Sequence, residues 1–305
     1  MKLSIVTTLY KSSPYIEEFY ERISREAQKI TQDYEIVFVD DGSPDDSLQK
    51  AVALHQNDPK VKVIELSRNF GHHKAIMTGL QHVKGDYVFL IDSDLEEEPE
   101  LLGKFWEELQ NSDDVDVVYG VQEQRKGGWF EQWSGGIFWK VINFLSDIPI
   151  PKNILTTRLM NQSYCQNLIS YKEREIFIGG IWADAGFHQK ALYVKKHAHS
   201  KTTYTIGKKI SLLITSITSF SNKPLIFIFN IGLLITILSL IFIFKLLIDK
   251  FFYNIPLEGW TSLIVSIWFF GGLTILFIGV IGIYLAKIFS ETKQRPYTIV
   301  RNIYS

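Results

Sequence analysis

The chain has 305 residues, a formal net charge of −1 and a pI near 6.7: enough chain to bury a sizeable core, and no basic excess of the kind that meets nucleic acid, which is excluded as a partner. The lone cysteine, Cys165, leaves no intrachain disulfide framework, allows a reducing compartment and reads as a small buried hydrophobe.

The opening segment, "MKLSIVTTLYK", has its apolar run broken by Thr7 and Thr8 and lacks a small-residue cleavage pattern, so it reads as a first strand and not as a secretory leader. Short β-rich runs then alternate with helical ones: "LSIVTTLY" and "YIEEFYERISREAQKI", "YEIVFVD" and "DDSLQKAVALHQ", "VKVIELS" and "HHKAIMTGLQHV", "DYVFLID" and "PELLGKFWEELQ", and finally "VDVVYGV". Strand and helix in strict turn predict an α/β fold, a mostly parallel sheet with helices on both faces. Sites in such sheets form at the carboxyl ends of strands. Two of these strands end in acid pairs, Asp40 with Asp41 and Asp92 with Asp94.

No G-x-G-x-x-G follows the first strand and no G-x-x-x-x-G-K-[ST] occurs, so the glycine cradles for dinucleotides and P-loop phosphates are missing. A phosphate ligand beside aspartates then needs a divalent cation between them, and Mg²⁺ or Mn²⁺ takes such oxygen ligands. Residues two apart in extended chain share a side, which lets Asp92 and Asp94 serve one ion. A helix cap competes with this reading. "FLIDSDLEEEPE" holds six acidic side chains, and Pro99 with acids around it complements a helix dipole, the role expected of Glu97, Glu98 and Glu100.

The tail is a different material. "YTIGKKISLLITSITSF" carries Ile206, Ile210, Leu213, Ile214, Ile217 and Phe220 at helical spacing, the pattern of a helix lying in a membrane interface. "PLIFIFNIGLLITILSLIFIFKLLI" and "WTSLIVSIWFFGGLTILFIGVIGIYLAKIF" are each apolar for the length that spans a bilayer core, roughly 20 residues. The link between them carries one lysine, whereas Lys208, Lys209 and Lys223 precede the first span and Lys287, Lys293, Arg295 and Arg301 end or follow the second. The positive-inside rule therefore puts both termini in the cytoplasm. The expected organisation is a catalytic domain at 1–203, an interfacial helix at 204–222, a two-helix anchor at 223–290 and a cytoplasmic tail at 291–305. The glycines of the second span suit close helix contact, including association of copies into a homo-oligomer.

Together "SIVTTLY", "VDDGSPDDS", "LSRNFGHHKAIMTGLQHVKGDYVFLIDSDLEEEPE" and the two spans resemble the polyprenyl-phosphate glycosyltransferases, family-two enzymes related to dolichyl-phosphate mannosyltransferase and the bactoprenol glucosyltransferases. The resemblance covers nearly the whole chain. It implies a GT-A, Rossmann-like fold and inverting transfer of a sugar from a nucleotide-diphosphate donor to polyprenyl phosphate, in a bacterial inner membrane. By position it implies that Thr8, Tyr10, Asp40, Asp41 and Arg68 meet the nucleotide, with a structural ion pair as the other reading of Arg68. Asp92 and Asp94 match the metal-binding pair, and Glu96 stands where many relatives carry a glutamine that helps the metal. Asp94, Arg125 and Arg158 are the residues expected to carry the chemistry, Arg125 and Lys126 falling where relatives put basic groups near phosphates.

Three departures stand out. Thr8 replaces a proline common among relatives, and His72–His73 replaces a common His-Gln pair; adjacent histidines on a helix point apart, so these two are not expected to share a metal. "LTTRLM" keeps Arg158 and Leu159 but has Thr156 where relatives carry an aspartate. A phosphate monoester is already ionised near neutral pH and attacks without a base, so that aspartate is not required on chemical grounds. The rival readings are a non-catalytic membrane scaffold, supported by Thr156, and a processive polysaccharide synthase, whose Q-x-x-R-W motif is absent.

Overall fold

Valine, isoleucine and phenylalanine fill the first three strands on both faces, so these segments are stable only when helices cover both sides of the sheet. The computed structural model describes residues 1–122, 153–174, 176–195, 221, 223–253 and 259–305. Four strands build its centre: β1 (Leu3–Leu9), β2 (Tyr34–Asp40), β3 (Val61–Leu66) and β4 (Tyr87–Leu90). They run parallel in the order β3-β2-β1-β4, with Leu3 opposite both Tyr34 and Tyr87.

Alternation along each strand sorts the core into two layers. Leu3, Ile5 and Leu9 of β1 join Ile36, Phe38 and Phe89 under α1 (Ile16–Ile30), α2 (Ser47–Asn57) and α4 (Leu101–Gln110). On that side Phe89 meets Phe105 edge-on, ring centres 5.9 Å apart, and removing such a ring costs about 3–5 kcal/mol. Val6, Val37, Val39 and Ile64 face the other way, under α3 (His72–Gln81) and α5 (Gln162–Ser170). A Cβ on Gly79 would stand 2.5 Å from Val6 Cγ1 and 2.9 Å from Val39 Cγ2, so glycine is what lets α3 lie this close to the sheet. Cys165 is buried in this layer and its thiol is pushed up to about 12 by burial, as expected of an inert core residue.

The outer strands depart from simple alternation. β5 (Val117–Gln122) does not sit beside β4. The strand β6 (Ile154–Asn161), which holds the "LTTRLM" segment, inserts between them and pairs antiparallel with both. β7 (Gln189–Val194) follows the short helix α6 (Ile178–Asp184) and extends the sheet beyond β5. Two long helices come next, α7 (Lys223–Tyr253) and α8 (Trp260–Thr292). Within α8 the stretch Ser266–Thr292 is long and apolar enough to cross a membrane and has no buried residue; among the described residues it is the one such helix, α7 contributing a shorter apolar stretch, Lys223–Ile235. At 1.5 Å per residue its 27 residues reach roughly 40 Å, more than a hydrocarbon core needs. The expected pair of spans is thus formed as two helices, one of which meets the length and composition of a span. The expected interfacial helix at 204–222 falls, apart from Ser221, outside the described residues.

Past α8 the chain does not end as a tail. Residues Val300–Tyr304 form β8, which pairs antiparallel with β3 and closes that edge of the sheet. Glu65 on β3 is the clamp: its buried carboxylate accepts hydrogen bonds from Arg301 Nη1 at 3.0 Å, Asn302 Nδ2 at 2.8 Å and Tyr304 Oη at 3.3 Å. Thr298 Oγ1 lies 2.8 Å from Thr78 Oγ1 of α3, and Ser67 donates its N–H to Ile299 O. Replacing both Arg301 and Asn302 by Ala removes the charge-assisted part of this clamp, worth about 1–3 kcal/mol. Hydrogen exchange checks it: the amides of Val300–Tyr304 should lose protection while those of β1 keep theirs, and unchanged β8 protection would show that the clamp is not what holds the strand.

Candidate active site

Because β1 to β4 are parallel, their carboxyl ends share one edge, and the loops that leave them supply the side chains of the site. Two of those loops pass through left-handed backbone at residues other than glycine, Lys11 at φ 58° after β1 and Leu95 at φ 56° after β4. Such conformations cost about 1–2 kcal/mol and persist where surrounding contacts hold them. At the second, Glu96 N–H turns back to Asp94 Oδ1 at 3.0 Å, which fixes the Asp94 carboxylate relative to the strand end. Ser93 Oγ donates to Thr8 O at 3.0 Å and Ile91 N–H to Val6 O, tying the β4 exit to that of β1.

His72, at the start of α3, joins two of the expected site residues. Its Nδ1 lies 3.1 Å from Thr8 Oγ1 and its Nε2 3.5 Å from Asp92 Oδ1. His73 turns away, its Nδ1 3.1 Å from Ile176 O, and burial pushes its imidazole down to about 4, so it stays neutral. Sequence reasoning set His72 aside as a residue outside any shared metal site. The signal that would have found it is its place at the first turn of the helix that follows "SRNFG", directly over the strand ends.

The two acids after β2 have different environments. Asp41 is buried and accepts the backbone N–H groups of Phe70 at 2.7 Å and Gly71 at 3.0 Å, one on each oxygen, so it holds the 67–71 loop in place. A Cβ on Gly42 would stand 2.5 Å from Arg68 C and Asn69 N, so the same loop packs on glycine in its left-handed conformation at φ 61°. Asp40 is buried as well, with Ser43 N–H 3.4 Å from both its oxygens. Burial, with Glu65 and Asp41 adding like charge, pushes its carboxyl up to about 6.

Tyr10 is 49% exposed beside these groups. Arg68 is exposed too and stacks on Phe70, its guanidinium carbon 4.1 Å from the ring centre, which leaves the expected ion pair unformed. Glu100, expected to complement the α4 dipole, instead binds Arg22 of α1 at 2.6 Å. Arg158, expected to meet an acceptor phosphate, is fully buried in β6. It lies 3.0 Å over the Trp182 ring, its Nη1 makes no hydrogen bond, and burial lowers it to about 10 while the nearby Glu97 charge acts in the opposite sense. Thr156 lies two residues before it in the same strand, and Arg125 and Lys126 fall outside the described residues.

The chemistry of the donor set suits a hard cation, since Asp92 and Asp94 bring carboxylate oxygens to one strand end. The expected third ligand does not join them: among the described residues no three His, Cys, Asp or Glu side chains gather as a metal site, and Glu96 is buried behind the turn its own N–H closes. A carboxylate pair plus substrate phosphate is the arrangement these residues fit.

Sequence and fold comparisons agree with this geometry. A Mycobacterium tuberculosis protein assigned to the glycosyltransferases is 53% identical over 100% of this chain and 89% of its own. The bactoprenol glucosyl transferase of Shigella phage SfV is 33% identical over 99% of each chain. Among solved structures, glucosyl-3-phosphoglycerate synthase from Mycobacterium tuberculosis in complex with phosphoglyceric acid shares the fold, with a TM-score of 0.50 at 17% identity over 71% of this chain and 79% of that one. Residues 4–169 match Glycosyl transferase family 2, and by that match and these end-to-end relatives the chain belongs to it.

Proposed function

We propose that the chain transfers a sugar, with inversion at the anomeric carbon, from a nucleotide-diphosphate donor to polyprenyl phosphate at the cytoplasmic face of a membrane. One observation carries the reading: Thr8, Asp40, Asp92 and Asp94 converge on one sheet edge of a family 2 glycosyl transferase that also bears a helix able to cross a bilayer. The donor would lie across the ends of β1, β2 and β4, with Thr8, Tyr10 and Asp40 toward the nucleoside and Asp92 and Asp94 toward the diphosphate. Asp92 and Asp94 would hold Mg²⁺ or Mn²⁺, which when bound neutralises the departing diphosphate. His72 keeps the Asp92 carboxylate and the Thr8 hydroxyl in register, and Asp41 supports the edge from beneath by fixing the 67–71 loop.

The acceptor is read from the phage relative, whose name specifies bactoprenol and glucose. Its phosphate is ionised near neutral pH, so Thr156 removes no group that the attack requires. Arg158 is assigned a positioning role, and Arg125 one at the phosphates. Topology supports two membrane crossings: β7 and β8 lie in one sheet but on either side of α7 and α8 in the chain, so the crossings between them are even in number. If α8 crosses, α7 crosses back, and the catalytic domain with both termini stays on the basic, cytoplasmic side.

With purified protein, a panel of nucleotide sugars, polyprenyl phosphate and Mg²⁺ or Mn²⁺, Asp94→Ala should lower transfer by about a hundredfold or more, the equivalent of several kcal/mol of lost leaving-group stabilisation. Undiminished transfer by the variant would remove the metal-site reading. Metal-dependent donor binding with no turnover in the parent protein would favour the scaffold reading that Thr156 supports.

Asp40 gives a pH test. Its pKa rises on folding, so protonation favours the native state: this contribution to stability is complete below about 4 and lost as pH rises through about 6. Donor binding should run the other way if ionised Asp40 accepts a hydrogen bond from the nucleoside, strengthening up to about tenfold per unit as pH rises toward 6 and levelling above it. Titration calorimetry across this range should show the inflection, and Asp40→Asn should abolish it; an inflection that survives the substitution belongs to another group.

A further inference from the structure

A cavity of about 360 Å³ opens where the catalytic domain meets the end of α8, lined in part by Arg68 and Phe70 of the loop that Asp41 holds. Its lining includes five cations from separate parts of the chain: Arg68 after β3, Lys74 on α3, Arg174 after α5, and Lys293 and Arg295 after α8. No acid lines it. Among the described residues none of the five forms an ion pair; the neighbouring acid, Glu291, accepts the backbone N–H of Arg174 at 2.8 Å and not its guanidinium. Like charges gathered this way repel one another and favour a bound anion.

A second observation points to the same ligand. Arg174 and Tyr297 line the cavity, and Arg174 Nε and Tyr297 Oη, covered just beneath its surface, have no hydrogen-bond partner among the described residues. Buried donors are nearly always satisfied, and a guanidinium N–H can only donate, so the missing partner is an acceptor. Burial holds the Tyr297 hydroxyl protonated, at about 12, and so able to donate as well. A group that accepts several hydrogen bonds from arginines and carries negative charge is an oxyanion of the phosphate kind.

The place of the cavity says how that phosphate arrives. Phe289 and Ser290 belong to its wall and also to the last turns of the candidate membrane stretch Ser266–Thr292, and Lys293 Nζ stands 4.0 Å over the Phe289 ring. A helix leaving a bilayer at this point sets the cavity at the depth of lipid headgroups, where basic residues meet anionic lipid.

We infer that this cavity is a binding site for the phosphate of a lipid, built jointly by the catalytic domain and the end of α8. The inference rests on the membrane reading of α8 and not on sugar transfer. The shared chemistry is a lipid-borne phosphate ester, supplied either by the polyprenyl acceptor or by an anionic phospholipid. Either way the occupant touches Arg68 and Phe70, whose loop reaches Asp41 and then His72, so occupancy of the cavity bears on the donor edge.

Native mass spectrometry on the full chain in detergent tests it with four probes: phosphatidylglycerol, polyprenyl phosphate, phosphatidylcholine and inorganic phosphate. Lipid phosphate should stay bound to the parent protein, and the exposed pair Lys293→Gln with Arg295→Gln should weaken it about tenfold to thirtyfold. Tyr297→Phe and Arg174→Lys, which keep size or charge but remove the unsatisfied donors, should weaken it as well, a loss that a diffuse basic surface would not show. Retention of polyprenyl phosphate alone assigns the site to the acceptor, and retention of phosphatidylglycerol too assigns it to headgroup docking. Binding unchanged in the variants, equal binding of phosphatidylcholine, or inorganic phosphate held as tightly as lipid would each overturn the inference. Donor affinity measured on the parent protein separates the two proposals: absence of nucleotide-sugar binding there counts against the glycosyltransferase reading and leaves this one standing.

Discussion

Negative charge crowded onto one edge of a parallel sheet is the constraint to which the rest of the molecule answers. Asp40, Asp41, Glu65, Asp92, Asp94, Glu96 and Glu97 all lie at or just beyond the ends of β2, β3 and β4, three of the four central strands, and most are buried. Two carboxylates about 6 Å apart repel by roughly 2–3 kcal/mol at an effective dielectric near 20, so every ionised member needs a partner or a raised pKa. The structure supplies a different answer for each. Asp41 takes two backbone amides, Glu65 takes Arg301 from the far end of the chain, Asp92 faces His72, and the buried Arg158 lies within the field of Glu97. For Asp40, burial outweighs the backbone N–H groups of Ser43 and Gly42, and its carboxyl rises to about 6. Such an edge is poised for a cation, because one doubly charged ion removes more repulsion than any of these local partners.

The loop from Ser67 to Gly71 is the element through which these answers communicate. It packs on Gly42, hangs from Asp41, leads into His72 and presents Arg68 and Phe70 to the basic cavity. The same short segment thus contacts a buried acid and lines the basic cavity. Steric confinement strengthens the arrangement: with a Cβ at position 42 the loop would have to move, and Asp41 and His72 would move with it.

Local patterns in the sequence were enough to place β1 to β4, their helices and both acid pairs, since alternation of apolar residues and the strand–helix rhythm are near-neighbour properties. Pairings between distant segments were not legible. β6 reads as a short mixed run around Thr156 and Arg158, and only its insertion between β4 and β5 makes it a strand. β8 is five residues at the chain end, with little to mark it until Glu65 supplies the partner for Arg301, Asn302 and Tyr304. Arg158 is expected from the resemblance among the residues that carry the chemistry, and arginine is rarely buried whole. Its burial follows from Trp182, twenty-four positions on, whose ring covers the guanidinium. His72 was missed for a related reason, as its two partners come from β1 and β4 and not from its own helix.

The return of the chain to the sheet also sets the reach of the enzyme. Between the end of α8 at Thr292 and the start of β8 at Val300 lie seven residues, which span at most about 25 Å fully extended and less as folded here, with Pro296 and the contacts of Tyr297 and Thr298 along the way. β8 is hydrogen-bonded to β3, two strands from β1, so the catalytic edge is tethered at short range to whatever depth α8 adopts. A domain held only at β7, through the long segment before α7, would have no such restriction. Fixing the sheet through β8 makes the position of Asp92 relative to the end of α8 a property of the fold, which is what the proposed reaction between a soluble donor and a membrane-bound acceptor requires.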